Sequence, residues 1–254
     1  MKTAATLLVA SLLILGNSSA TAADVTTWEL PEINLTLSLP ADLAVATREG
    51  IQTHPESFES VEWDGPDLLS ALEERDAYLV GLGPDVDYLV GSMDAPVNLD
   101  RYWNLTTVPE DLIRELAIDT AQAMEVNGYQ ADFEEVHRVG ELTYFVIVGS
   151  DTASATHFRQ YYTIVNGRPT SLSLYSYSGP VSDADATDQR RAVDSIRFLS
   201  IEPDPAPVLD PSLDAINRTE SLGRLLRAVG VALALAIPIV VVVLVRRHRR
   251  KGGA

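Results

Sequence analysis

The sequence predicts an α+β body, a mainly antiparallel sheet with helices packed on it, followed by one C-terminal transmembrane helix. Three observations carry this. Residues 33–39 alternate strictly between apolar and polar, the period of a half-buried strand. Two turn signals, Gly83-Pro84-Asp85 and Asn166-Gly167, each separate a pair of strand-like runs. Residues 228–245 form an uncharged run of 18 residues, followed by the basic cluster RRHRRK at 246–251.

The elements follow in order. Ile33, Leu35, Leu37 and Leu39 line one face of the first strand, which stops at Pro40. Residues 44–48 are expected to pair back onto it. Residues 66–75 read as a helix, with Pro66 in the first turn and Leu68, Leu69 and Leu72 on one side. The two YLVG runs at 78–81 and 88–91 read as an antiparallel hairpin. Residues 107–127 form the clearest helix: Thr107 and Glu110 have capping-box spacing, Leu112, Ile113, Leu116 and Met124 mark its buried stripe, and Gly128 ends it. Residues 142–148 read as a central apolar strand. Residues 158–165 and 170–177 flank Asn166-Gly167 as a hairpin. Ser171 and Ser173 are expected on a solvated face, opposite Leu172 and Leu174. Residues 182–195 form the last helix, capped by Ser182 or Asp183, with Ala186, Gln189, Val193 and Ile196 on one face.

Composition bounds the function classes. The chain has 254 residues, 46% of them hydrophobic, no cysteine and a net charge of −17. A thiol nucleophile and a cysteine zinc site are excluded. All 36 acidic residues lie between Asp24 and Glu220, against 11 basic residues there, every one an arginine. A nucleic-acid-binding body needs basic clusters, so no nucleic-acid partner is expected.

The ends predict an exported, anchored protein. Lys2, the apolar run 7–15 and the small residues at 20–23 read as a signal peptide over 1–23, cleaved after Ala23. The expected order is then a body at 24–199, a Pro-rich acidic stalk at 200–227, a span at 228–245 and a basic cytoplasmic tail at 246–254. Eighteen helical residues reach roughly 27 Å, close to the hydrocarbon thickness. Positive charge stays inside, so the expected location is the cell membrane, crossed once, with the body outside.

Four stretches carry a family likeness: INLTLSLP at 33–40, the helix at 109–128, QYYTIVNG at 160–167 and AVDSIRF at 192–198. On these the body resembles the PsbP-like alpha/beta/alpha sandwich. That domain is shared by the extrinsic photosystem II protein and a Ran-binding nuclear import factor. The likeness is closest to its secreted, membrane-anchored form in Gram-positive bacteria. It implies a sheet hairpin followed by a last helix that ends in a Ser-Ile-x-Phe strand. It brings no general activity, and fold does not imply function.

No catalytic, cofactor-binding or metal-ligating set is assigned, and no cofactor is expected. His54, His137 and His157 read as surface histidines, because no Gly-x-Ser-x-Gly elbow accompanies them. Asp183, Asp185, Thr187 and Asp194 have calcium-loop spacing, yet Asp188 stands where the loop needs Gly, so a helix start is the preferred reading. Asp85, Asp87, Asp94 and Asp100 crowd the first hairpin as an acidic loop region. Tyr161, Tyr162, Tyr175 and Tyr177, with Trp103, are the aromatics that an exposed sheet face would offer a partner. Asn34, Asn104 and Asn217 lie in Asn-x-Thr sequons, read as chance. The expected function is a non-enzymatic module that binds a protein or envelope component through one sheet face. A calcium-binding structural module and a surface hydrolase are the alternatives.

Overall fold

A computed structural model describes residues 24–53, 65–93 and 103–204. The expected signal peptide, span and tail, and the stalk beyond Asp204, lie outside the described residues, as do His54, Asp94 and Asp100. Among the described residues, no helix is long and apolar enough to cross a membrane.

The body is mixed α+β. Its elements are β1 (Val25–Leu30), β2 (Leu35–Pro40), β3 (Ala44–Thr47), α1 (Arg48–Thr53), α2 (Gly65–Glu73), β4 (Ala77–Leu82) and β5 (Val86–Ser92). They continue with α3 (Glu110–Val126), β6 (Tyr129–Val139), β7 (Leu142–Asp151), β8 (His157–Val165), β9 (Arg168–Ser176), α4 (Asp183–Ser195) and β10 (Arg197–Phe198). Seven strands form one antiparallel sheet in the order β3-β4-β5-β9-β8-β7-β6, and three form a small sheet, β1-β2-β10.

The large sheet is covered on both faces. On one, α1, α2 and α3 supply Ile51, Leu72, Ile113, Leu116 and Met124 to a core shared with Phe145, Ile147 and Phe158. On the other, the small sheet and α4 supply Leu35, Leu37, Leu39, Val193 and Ile196 to a second core with Tyr144, Val146 and Leu174. Strand residues alternate between the two cores, as a two-fold pleat requires.

Both predicted hairpins form. Asn166 and Gly167 have φ of 54° and 72°, the left-handed pair that a two-residue turn needs. Ser182 caps α4, its hydroxyl accepting from the Asp185 backbone N–H at 3.2 Å.

Other expectations are corrected. β3 pairs with β4, not with β2. Leu43 carries the chain across to the large sheet, packing into space that Gly81 and Gly83 leave open. Helix α3 starts at Glu110, and Thr107 does not cap it. Thr107 sits in a 3₁₀ turn and donates its hydroxyl to the Asn104 carbonyl at 2.8 Å. The Ser171–Ser173 face is not solvated: Ser173 is 2% exposed and Tyr175, next on the same face, 0%. β6 escapes the sequence pattern because a bulge between Phe133 and Glu135 breaks its alternation. Tyr129, Ala131 and Phe133 share a core with Val136, an odd step along the strand.

Gly149 on β7 marks where backbone and side chain come closest. A Cβ there would sit 2.0 Å from the Gln130 carbonyl oxygen and 2.7 Å from the Phe158 ring. Gly149→Ala is therefore expected to destabilise the body by more than about 3 kcal/mol, read as a lowered urea midpoint.

Candidate functional site

The sheet aromatics are internal. Adjacent strand positions point to opposite faces, so Tyr161 joins the core under α4 while Tyr162 joins the core under α3. Tyr161, Tyr162 and Tyr175 are 0%, 6% and 0% exposed, which removes the expected aromatic binding face. Gln160 links two of them: its amide accepts from the Tyr162 hydroxyl and donates to the Tyr175 hydroxyl at 3.0 Å. Burial pushes the Tyr175 hydroxyl up to about 12, so it stays a neutral hydrogen-bonding group. At the end of β9, the half-buried Tyr177 donates to the buried Asp87 carboxylate at 3.0 Å. Burial first, then the Asp87 charge, raises the Tyr177 pKa.

The main ionisable cluster lies between β6, β8 and α4. Arg159 on β8 is 5% exposed. It donates from Nε to Glu134 at 2.7 Å, from one terminal nitrogen to the Tyr161 hydroxyl at 2.6 Å, and from the other to Glu135 at 3.1 Å. Burial opposes its charge, but the bonds and charges of Glu134 and Tyr161 outweigh burial and hold its pKa above the ordinary arginine value. Arg190 on α4 also pairs with Glu135, so that one carboxylate joins strand to helix. Beside it, His137 Nε2 meets Asp194 Oδ1 at 2.8 Å, and its ring packs edge-on to Tyr161 at 5.6 Å. The His137 side chain is 13% exposed, a hydrogen-bonded histidine at the edge of the body and not a solvated one.

This cluster has a base and an orienting carboxylate but lacks a nucleophile in place. Ser195 follows Asp194, yet its hydroxyl accepts from the Ser38 backbone N–H at 2.7 Å and donates to the Ala192 carbonyl at 2.6 Å. A triad needs the nucleophile hydrogen-bonded to the histidine. The arrangement instead ties β6 and the small sheet to α4. Gln189 adds to this, donating to the carbonyls of Arg159 at 2.8 Å and Leu172 at 3.2 Å. The other histidine among the described residues, His157, starts β8 and is half-buried.

The calcium-loop spacing falls on a helix. Asp183 and Asp185 occupy the first turn of α4, where negative charge suits the helix dipole, and Asp194 lies in its last turn. Among the described residues, no group of three or more acidic or histidine side chains is placed to hold a metal ion. A cavity of about 10 Å³ between Leu35, Val90, Tyr144, Leu172 and Phe198 has room for about one water and none for an organic substrate.

A second polar constellation sits where the chain leaves the body. Residues 199–204 run as a strap beyond β10. Asn104 Nδ2 donates to the Glu202 carbonyl at 2.7 Å and to Asp204 Oδ1 at 2.9 Å. Asn166 Nδ2 donates to the Ser200 carbonyl at 3.1 Å, and its Oδ1 accepts from the Glu202 N–H at 2.7 Å. The two asparagines are joined, Asn166 N–H to Asn104 Oδ1 at 3.0 Å. The Leu199 N–H donates to the Asn34 carbonyl at 2.9 Å, and the Gly167 N–H to the Trp103 carbonyl at 2.8 Å. A Cβ at Gly167 would lie 2.9 Å from the Trp103 ring. Asn104, in one of the Asn-x-Thr sequons, is thus 4% exposed with its amide fully committed. Sequence reading identified the Asn166-Gly167 turn but not the strap, because its partners lie up to 100 residues apart.

The class defined by this geometry is an α+β sandwich: a seven-stranded antiparallel sheet with helices on one face and a helix plus a small sheet on the other. Among solved structures, the chain is similar to the solution structure of cyanobacterial PsbP (CyanoP) from Synechocystis sp. PCC 6803. The match has 11% identity and a TM-score of 0.44, covering 72% of this chain and 98% of that one. That protein belongs to the family the sequence motifs resemble. No family model matches the chain. No curated protein matches it either.

Arg159→Met keeps an unbranched apolar stem and removes the guanidinium. It leaves the Tyr161 hydroxyl without its donor and Glu134 without its bond, so a loss of about 2 kcal/mol is expected in urea unfolding. A stability equal to the parent's would show that the cluster does not hold α4 to the sheet.

Proposed function

We propose that the chain is a single-pass membrane protein whose α+β body stands outside the membrane as a non-enzymatic module that binds another protein or an envelope component. The exported and anchored half of the reading rests on the apolar run 7–15, the uncharged run 228–245 and the basic cluster at 246–251. The observation that carries the non-enzymatic half is the state of the histidine–carboxylate pair His137–Asp194 among the described residues. His137 and Asp194 meet between β6 and α4, while the neighbouring Ser195 hydroxyl is spent on backbone groups of β2 and α4.

The binding surface is not a sheet face, since both faces of the large sheet are core. It falls to the turns at the sheet ends and the outer sides of α3 and α4. Asp42 lies in a turn and Asp185 and Asp188 in the first half of α4, and all three charges act on Tyr88 of β5, so a partner would meet negative charge there. Opposite charge on the partner speeds and orients such an encounter.

Membrane fractionation of cells expressing the full chain tests the reading. The protein is expected in the membrane fraction, with the body cleaved by protease added to intact cells and the tail protected. A deletion of 228–251 is expected to move it to the soluble fraction. Full-length protein recovered as soluble would overturn the anchored reading. Turnover of an ester or glycoside substrate that is lost in His137→Gln would overturn the non-enzymatic one.

A further inference from the structure

We propose that Asn166-Gly167 is a latent self-modification site, a deamidation site that the strap holds shut, so that release of the strap becomes irreversible. An asparagine followed by glycine is the pair most open to this reaction, because no side chain on the second residue hinders the attack. The Gly167 nitrogen forms a bond to Asn166 Cγ, the Cγ–Nδ2 bond breaks, and ammonia leaves with the former Gly167 amide proton. The resulting succinimide is then opened by water, leaving aspartate or isoaspartate at 166.

Every atom of that step is occupied in the closed body. The attacking Gly167 N–H is bonded to the Trp103 carbonyl at 2.8 Å, and Gly167 itself is buried. The leaving Nδ2 is bonded to Ser200 and the amide oxygen to the Glu202 N–H, at 3.1 and 2.7 Å. Both side-chain bonds go to the strap. Asn104 holds the same strap from the other side and also holds the Asn166 backbone N–H. Lifting residues 199–204 therefore frees the Asn166 side chain, and any pull on the chain beyond Asp204 acts on these bonds first.

The product cannot re-form the clamp. A carboxylate at 166 faces the Ser200 carbonyl with no proton to donate, and the Asp204 carboxylate already lies against the adjoining Asn104 amide. Isoaspartate also adds a carbon to the backbone of a turn that has only two residues. A reversible opening is converted into a permanent one.

The chain contains an internal control. Asn127-Gly128 closes α3, with Asn127 Nδ2 bonded to the Ala123 carbonyl at 2.8 Å and the Gly128 N–H to the Glu125 carbonyl at 3.0 Å. Neither residue touches the strap.

The test incubates the full chain under native conditions and measures deamidation at both sites by peptide mapping, in the parent, Asn104→Ala and Asn104→Asp. Removing the Asn104 bonds is expected to raise the rate at Asn166 by roughly tenfold, through a larger open population, and to leave Asn127 unchanged. An unchanged rate at Asn166 in both variants would overturn the proposal. An equal rise at both sites would also overturn it, because that marks loss of the whole body. A further variant, Asn166→Asp, tests the irreversible step. Faster hydrogen exchange at the Leu199 and Glu202 amides is expected, and parental exchange there would show that the clamp recloses.

Discussion

A sheet buried on both faces has no solvent side on which to place polar side chains. In the large sheet this constraint governs every strand from β4 to β8. Ser173, Gln160, Arg159 and Asp87 lie inside, at 5% exposure or less, and each must find its partner within the body or at its rim. The Gln160 amide and the Tyr162 and Tyr175 hydroxyls answer one another under α3, and Arg159 is answered by two glutamates and a tyrosine under α4. The polar interior thus specifies which strand lies beside which, a selectivity that two cores of leucine and valine would not supply by themselves.

Cations are scarce in the body, and several of them do more than one task. All are arginines, whose planar, multiply donating head group suits them to bridge several acceptors. Arg48, 8% exposed, bonds the carbonyls of Ala77 and Leu72 at 2.6 and 3.0 Å and lies over the Tyr78 ring, joining α1, α2 and β4. Arg114 and Arg138 converge on Glu110 at the start of α3, and their hydrogen bonds hold its carboxyl below the usual carboxylate range. The exposure of those three side chains keeps the stabilisation small.

Local signals made much of the fold legible. The Asn166-Gly167 turn, the two YLVG runs and the Ser182 cap depend on residues within a few positions of one another, and each forms as read. Elements that depend on distant partners did not show. β6 alternates only over its first half, Tyr129 to Phe133, and the bulge then shifts the phase, so the strand does not show one continuous pattern. β1 is exposed along most of its length and owes its position to pairing with β2. Ser171 and Ser173 looked solvated because alternation reports the contrast between two faces, not what covers the polar one. The same limit hid the candidate sites. His137 and Asp194 are 57 residues apart and Asn104 and Asp204 are 100 apart, with no spacing rule to join them.

The small sheet unites the two ends of the body. β2 lies between β1, the first strand, and β10, the last, with Arg197 and Phe198 paired to Thr36 and Leu35. A ribosome delivers the N-terminal partners long before the C-terminal ones. Until residues 195–199 emerge, β2 has an open edge, and Ser38 lacks the hydroxyl that caps its N–H. The first strands made are therefore the last to be completed, and the body closes only when its final segment has been synthesised. Folding is thus withheld until nearly the whole body has been made, and the open edge of β2 is the last feature of the body to be covered.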